Sequence, residues 1–174
     1  MLIQNEAIFF RALESSDLEM LYHCENDTNV WRVSNTITPY SKDVLSLYLE
    51  NAYQDIYTTK QLRLVVCDVN SREALGTIDL FDFEPTHQRV GVGILIFEKH
   101  RNKGFAKHSI TLLKDYLANV LFLNLMFCNI SVSNTESISL FESCGFKQIG
   151  IKKQWNKIGK NQFEDELMYQ FNFE

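Results

Sequence analysis

The stretch Arg89–His108, RVGVGILIFEKHRNKGFAKH, decides how this chain folds. A strand-like run ends near Phe97, a short basic loop follows, and Gly104 opens a helix. The first turn of a helix presents N–H groups without carbonyl partners and the positive end of the helix dipole, so it is a ready anion site. Gly104 lacks the Cβ that would hold a ligand off the backbone. Lys99, Arg101, Lys103 and Lys107 crowd this loop in a chain whose net charge is -5. The ligand implied is a phosphate or pyrophosphate. Neither G-x-x-x-x-G-K-[ST] nor G-x-G-x-x-G is present, so the loop is not a P-loop or a dinucleotide fingerprint. Within the strand, Gly91 and Gly93 alternate and share a face. Two readings of that pair stay open: a gap filled by an aromatic from elsewhere, or room for an extended ligand beside exposed strand amides.

Working outward, residues 7–12 read as a strand. Ser16-Asp17-Leu18-Glu19 fits a capping box that starts a helix. Ser41 caps a second helix, in which Leu45, Tyr48, Leu49, Ala52, Tyr53 and Ile56 form one stripe. Strands follow around 62–66, 74–83 and 89–97, with Pro85 in the last turn. A helix runs from about Gly104 to Leu117. An apolar strand spans 125–132, and a short helix from Thr135 to Ser143 stops at Gly145, a natural left-handed cap. Two last strands are joined by a turn within 156–161. In the final one Phe163, Asp165, Leu167, Tyr169, Phe171 and Phe173 share a face, apolar except at Asp165. Strands with interspersed helices indicate an α/β (α+β) domain with a mixed sheet. No repeat or linker divides the chain, so 1–174 reads as a single domain.

Two segments together carry a family resemblance. Arg101-Asn102-Lys103-Gly104-Phe105-Ala106 reads as [QR]-x-x-G-x-[GA], and NTESISLFESCGF, residues 134–146, is an Asn followed by a short helix ending in a Gly-Phe pair. The chain resembles the GNAT family of acetyl-CoA-dependent N-acetyltransferases, in the branch of ribosomal-protein N-terminal and spermidine acetyltransferases. The resemblance implies a mostly antiparallel sheet of six to seven strands with about four helices, splayed between its central strands. It implies acetyl-CoA as co-substrate. The pyrophosphate would lie on the segment Arg101, Asn102, Lys103, Gly104, Phe105, Ala106 and Lys107. The pantetheine would pair with the edge of Ile94, Leu95, Ile96 and Phe97, Asn134 would hydrogen-bond that arm, and Phe141 would sit near the thioester. The acetyl group would pass by direct attack to a primary amine, a protein N-terminus or a small molecule.

The chain departs from the family at both acid–base positions. The usual Tyr acid is Phe141 and the usual Glu base is Gly91. The candidate substitutes are Asp79, His87, Asp165 and Ser139, with Asp82, Glu84, Glu164, Glu166 and Cys144 behind them. His87 has the intrinsic pKa of a base. The acidic pair that polyamine-specific relatives place before Pro-Tyr is Ile37-Thr38 here, which counts against spermidine as the amine. A non-catalytic acyl-CoA-binding module and a nucleotide-binding regulator are the rival classes.

Composition frames these readings. The 174 residues are 45% hydrophobic and 22% charged, as in ordinary globular domains, so disorder and low-complexity structure are excluded. The acidic balance argues against a nucleic-acid partner. Cys24, Cys67, Cys128 and Cys144 form no C-x-x-C pair, and no two histidines stand at i, i+4, so neither a disulfide framework nor a metal is expected. The N-terminal apolar run has no basic segment before it, and the run from Val120 to Cys128 is broken by Asn124. A secretory signal and a membrane span are therefore not expected, and the cytoplasm is. A homodimer through an exposed edge stays open.

Overall fold

The computed structural model describes residues 3–34 and 36–173. Of these, residues 3–12 and 56–173 form one compact unit, and those within Leu13–Asp55 form a second.

The larger unit is built on a single eight-stranded sheet: β1 (Ile3–Gln4), β2 (Ile8–Ala12), β3 (Leu62–Asp68), β4 (Ala74–Glu84), β5 (Arg89–Ile96), β6 (Leu125–Ser131), β7 (Lys147–Gly159) and β8 (Gln162–Asn172). Their spatial order is β1-β2-β3-β4-β5-β6-β8-β7. Every neighbouring pair is antiparallel except β5 and β6, which run parallel. The parallel pair needs a crossover. That crossover is α5 (Phe105–Asn119). Parallel pairing covers only Arg89–Gly91 against Leu125–Phe127, so the sheet splays open between the rest of β5 and β6. The sheet is one strand larger than the upper expectation, because the two residues of β1 pair with β2.

One face of the sheet carries Ile8, Phe10, Leu64, Val66, Ile78, Leu80, Val90, Val92, Met126, Cys128, Ile130 and Tyr169. Helix α5 adds Ile110, Leu113 and Leu117 at i, i+3 and i+7. Helix α6 (Thr135–Ser143) adds Phe141. Each such side chain contributes about 1.5–3 kcal/mol when fully buried. The Cys128 thiol lies in this core, and burial pushes its pKa up to about 12. The opposite face carries the alternate residues, among them Arg63, Asp79, Phe81, Gly91, Gly93 and Phe127.

The second unit holds α1 (Leu18–Glu25), α2 (Thr28–Ser34) and α3 (Lys42–Glu50), with α1 and α3 linked by a Lys42–Glu19 ion pair of 2.5 Å. Ser41 caps α3, its Oγ accepting from the Val44 amide at 3.2 Å. Four sequence expectations are corrected. The capping box uses Glu14 and Asp17 around a 3-10 turn at Ser15–Asp17, not Ser16 and Glu19. The stripe expected to run to Ile56 ends with α3 at Glu50: Tyr53 is exposed, and Ile56 opens a separate helix, α4 (Ile56–Thr59). With α2 and α4 the α-helices among the described residues number six rather than about four. Fourth, only Leu167, Tyr169, Phe171 and Phe173 of the expected β8 face pack on the core. Phe163 is exposed and Asp165 turns to β7.

Candidate active site

The loop between β5 and α5 has the geometry of an anion cradle. Gly104 is the N-cap of α5 in the left-handed region, φ 83°. A Cβ there would meet nothing closer than His108 Cδ2 at 3.9 Å, so glycine is needed for backbone conformation, not for space. Asn102 is also left-handed, φ 60°, a conformation Asn tolerates better than most residues. The first helical amide donor is His108, to the Gly104 carbonyl at 3.1 Å. Among the described residues no protein acceptor takes the amide hydrogens of 102–107. A curved row of free N–H groups at a helix start binds a pyrophosphate without further help.

The basic side chains divide. Lys99 pairs with Glu73 at 2.5 Å, and Lys103 donates to the Lys99 carbonyl at 3.0 Å. Arg101 Nε donates to the Ile96 carbonyl at 3.0 Å, tying the loop to the end of β5. Lys107 is exposed and makes no ion pair or hydrogen bond among the described residues. The expectation that all four lysines and arginines face a phosphate therefore shrinks to Lys107 and the tip of Arg101.

Strand alternation decides which backbone groups line the splay. Phe97 N–H donates to the Leu75 carbonyl on β4 at 2.9 Å. Odd residues of β5 therefore turn toward β4, and the Leu95 carbonyl lies only 2.0 Å from where a Cβ on Gly76 would stand. Even residues turn the other way: the Gln88 carbonyl accepts from Asn124 and Leu125 beside β6. Ile94 accordingly presents its N–H and C=O groups to the open splay and Ile96 its N–H, while the Ile96 carbonyl is taken by Arg101 Nε. Leu95 and Phe97, expected on that edge, do not.

The candidates for acid and base separate just as clearly. Asp79 lies opposite Gly93, with its Cβ 3.9 Å from the position a Gly93 Cβ would take, and pairs with Arg63 at 2.5 Å. It is the one of the four beside the splay. His87 is exposed at the tip of the β4–β5 turn, roughly 20 Å from Ile94 at ~3.3 Å per residue. Ser139 is exposed on α6, about 200° round the helix from Phe141 at ~100° per residue. Asp165 accepts from Lys153 Nζ at 2.8 Å and from the Gln154 amide at 2.9 Å, closing an irregularity in β7. The Lys153 hydrogen bond holds its carboxyl below the usual range. The geometry gives Asp165 a structural task and leaves His87 and Ser139 away from the splay.

On the far wall, Asn134 caps α6, its Oδ1 accepting from the Ser137 amide at 3.1 Å. That leaves Nδ2 as its free donor. Phe141 is only 4% exposed, its ring edge-on to Phe146 at 4.9 Å. The face of Gly91 is closed: an added Cβ would meet the Phe81 ring at 2.3–2.6 Å. The Phe81 ring in turn stands edge-on to Phe127 at 5.8 Å. Of the two readings of the glycine pair, the aromatic filler holds for Gly91 and open space for Gly93.

Sequence reasoning missed Arg63, Phe81 and a network on β6–β8 in which Lys152 Nζ donates to Asn129 Oδ1 and Glu166 Oε2, both at 2.9 Å. Arg63 was detectable: it is the charged residue between Leu62 and Leu64, hence on the opposite face. Glu166, 7% exposed and expected only as a reserve acid or base, gave no such signal of its structural role, because its partners Lys152 and Asn156 come from β7. Among the described residues no cluster could hold a metal ion, and no helix is long and apolar enough to cross a membrane.

Known proteins share this arrangement. Residues 7–147 match the model of the Acetyltransferase (GNAT) domain. The chain is 29% identical over 147 residues to the spermidine N(1)-acetyltransferase of Vibrio cholerae, covering 84% of this chain and 82% of that one. It is 25% identical to the uncharacterized N-acetyltransferase p20 of Bacillus licheniformis, across 96% of this chain and 93% of that one. The crystal structure of the Vibrio cholerae spermidine N-acetyltransferase in complex with CoA and spermine superposes with a TM-score of 0.86 at 25% identity, covering 97% of this chain and 96% of that one. With a free-amide cradle, a splayed β5–β6 pair and a family match over most of its length, the chain belongs to the GNAT acetyltransferases, enzymes that draw their acetyl group from acetyl-CoA.

Proposed function

We propose that this chain transfers acetyl from acetyl-CoA to the nitrogen of a primary amine by direct attack, with 1–174 acting as one acetyltransferase domain. The observation that carries the reading is the splay itself, with Ile94 and Ile96 facing it beside the free amides of 102–107. Acetyl-CoA supplies the acetyl group as an activated thioester. The amides of 102–107 and Lys107 hold its pyrophosphate, the Ile94 and Ile96 backbone aligns its pantetheine arm, and Asn134 Nδ2 donates to that arm. The Ile94 N–H faces the space where negative charge develops. A primary ammonium, with a pKa of about 10, must lose a proton before it attacks. Asp79 stands where it can hold that ammonium and pass its proton to water. A thiol of pKa about 8.5 leaves without a dedicated acid, so Phe141 does not forbid turnover.

A protein N-terminus or a small amine fits this reading. Spermidine is the second reading, favoured by the resemblance to the Vibrio cholerae enzyme. Acetyl-CoA-dependent thiol release over N-terminal peptides, polyamines, free amino acids and an aminoglycoside tests both. Release with one amine class names the acceptor. Saturable CoA binding without release from any amine overturns catalysis in favour of a binding module. Asp79→Asn lowers kcat at least tenfold if Asp79 handles the proton, while Ser139→Ala does not.

A further inference from the structure

A cleft of about 610 Å³ opens on the face of the sheet away from α5 and α6, where the splay closes. Its lining includes Lys60, Asp82, Glu84, Arg89, Phe127 and Gln170. Phe127 belongs to both places, since it is the last β6 residue paired with β5, opposite Gly91. The Phe81–Phe127 ring pair forms an apolar bridge from the cleft toward Gly93 and Asp79.

The charged lining is not used by the fold. Glu84 and Arg89 are cross-strand partners, yet no ion pair joins them. Among the described residues neither these two nor Asp82 makes a side-chain hydrogen bond or ion pair, and Lys60 has only the Phe83 ring, 5.9 Å from its Nζ. Lys60 and Asp82 are both left-handed non-glycine residues, φ 59° and 47°. Such conformations are costly and gather at ligand clamps. Asp82 sits in the register shift between Phe81 and Glu84, and bulges of this kind re-aim side chains. The shift sends Phe83 into the core and leaves Asp82 and Glu84 at the cleft.

We propose that the acceptor amine carries an anionic group about 10–13 Å from its reacting nitrogen, and that Lys60 and Arg89 hold that group in this cleft. The length follows from the strand: Arg89 precedes Gly93 by four residues, about 13 Å at ~3.3 Å per residue. An extended peptide with a free N-terminus and an acidic or phosphorylated third or fourth residue spans this distance. Its midsection crosses the Phe81 and Phe127 rings, and Asp82 and Glu84 accept from its backbone N–H groups. A polyamine fits poorly, because Lys60 and Arg89 offset the pull of the two carboxylates. The inference rests on the acetyltransferase reading and names its acceptor class.

The test compares thiol release by the full chain with the peptide amides Ser-Gly-Gly-Asp, Ser-Gly-Gly-phosphoserine and Ser-Gly-Gly-Asn, and with spermidine. The expected result is a kcat/KM about tenfold or more higher for the anionic peptides, carried by KM, as one charged hydrogen bond provides. The Asp and phosphoserine arms tell carboxylate from phosphate. Arg89→Ala and Lys60→Ala, checked for native circular dichroism, bring the ratio near one, and Arg89→Glu inverts it. Equal rates in the wild type, a ratio untouched by both substitutions, or spermidine as the best acceptor overturns the proposal. Failure of the acetyltransferase reading is seen separately, as no release from any amine. Equilibrium binding of labelled Asp and Asn peptides to wild type and Arg89→Ala then decides the cleft by the same criterion.

Discussion

Gly91→Ala puts a methyl group into the Phe81 ring. The built Cβ lies 2.3 Å from Phe81 Cε2 and 2.6 Å from Cδ2 and Cζ, where ordinary contact begins at 3.4 Å. The ring must retreat by about 1 Å, and it is not the free end of a flexible chain: Phe127 stands edge-on to it at 5.8 Å. Overpacking of this kind costs about 1–3 kcal/mol. For a chain of this length that is about 2–4 °C in Tm per kcal/mol. The assay is urea denaturation of wild type, Gly91→Ala, Phe81→Ala and the double variant. Removing the ring removes the clash, so Gly91→Ala costs little in the Phe81→Ala background, and the cycle shows a coupling above 1 kcal/mol. Gly91→Glu, which restores the family's usual residue, is tolerated only alongside a smaller residue at 81. Additive single effects, or a Gly91→Ala protein as stable as wild type, refutes the argument that Phe81 dictates glycine at 91.

Three further outcomes follow from the same geometry. Gly104→Ala has space but forces an L residue to φ 83°, about 1–2 kcal/mol of strain, so calorimetry finds CoA affinity down about tenfold in a folded protein; unchanged affinity removes the cradle from the site. The folded Asp165 carboxyl titrates below its unfolded value of about 3.9, so its stabilisation is complete above that value and is lost as pH falls through the lower folded pKa; the stability of Asp165→Asn therefore meets that of wild type in acid and falls behind above about pH 4–5, with no change in the pH profile of kcat. Thiol titration of the native protein at pH 8 labels Cys24 alone and quickly, because Cys67, Cys128 and Cys144 are buried; rapid loss of a second thiol contradicts that packing.

How much of this was legible in the sequence depended on whether a signal was local. The β5–loop–α5 unit and α6 were, because caps, periodicity and Gly145 act within a few residues. The parity of Asp79 was also legible, since alternation along β4 fixes its face once Ile78 and Leu80 are taken as core. What alternation leaves free is the absolute direction of a strand's hydrogen-bonding edges. Ile94 and Leu95 look interchangeable until one contact is known, and the Phe97–Leu75 bond then assigns every residue of β5 at once. Gly91 and Gly93 carried one signal with two causes. They diverge because the regular β4–β5 register sets Phe81 opposite Gly91 and Asp79 opposite Gly93, so the ring closes over one glycine and the carboxylate leaves the other open. The roles of Asp165 and Glu166 were out of reach for a related reason. Their partners, Lys153, Gln154, Lys152 and Asn156, lie on another strand, in a register interrupted by the irregularities of β7. A register slip of one residue exchanges the two carboxylates between faces. An acidic residue on a terminal strand is thus equally readable as a base or as a staple, and only its cross-strand neighbours choose.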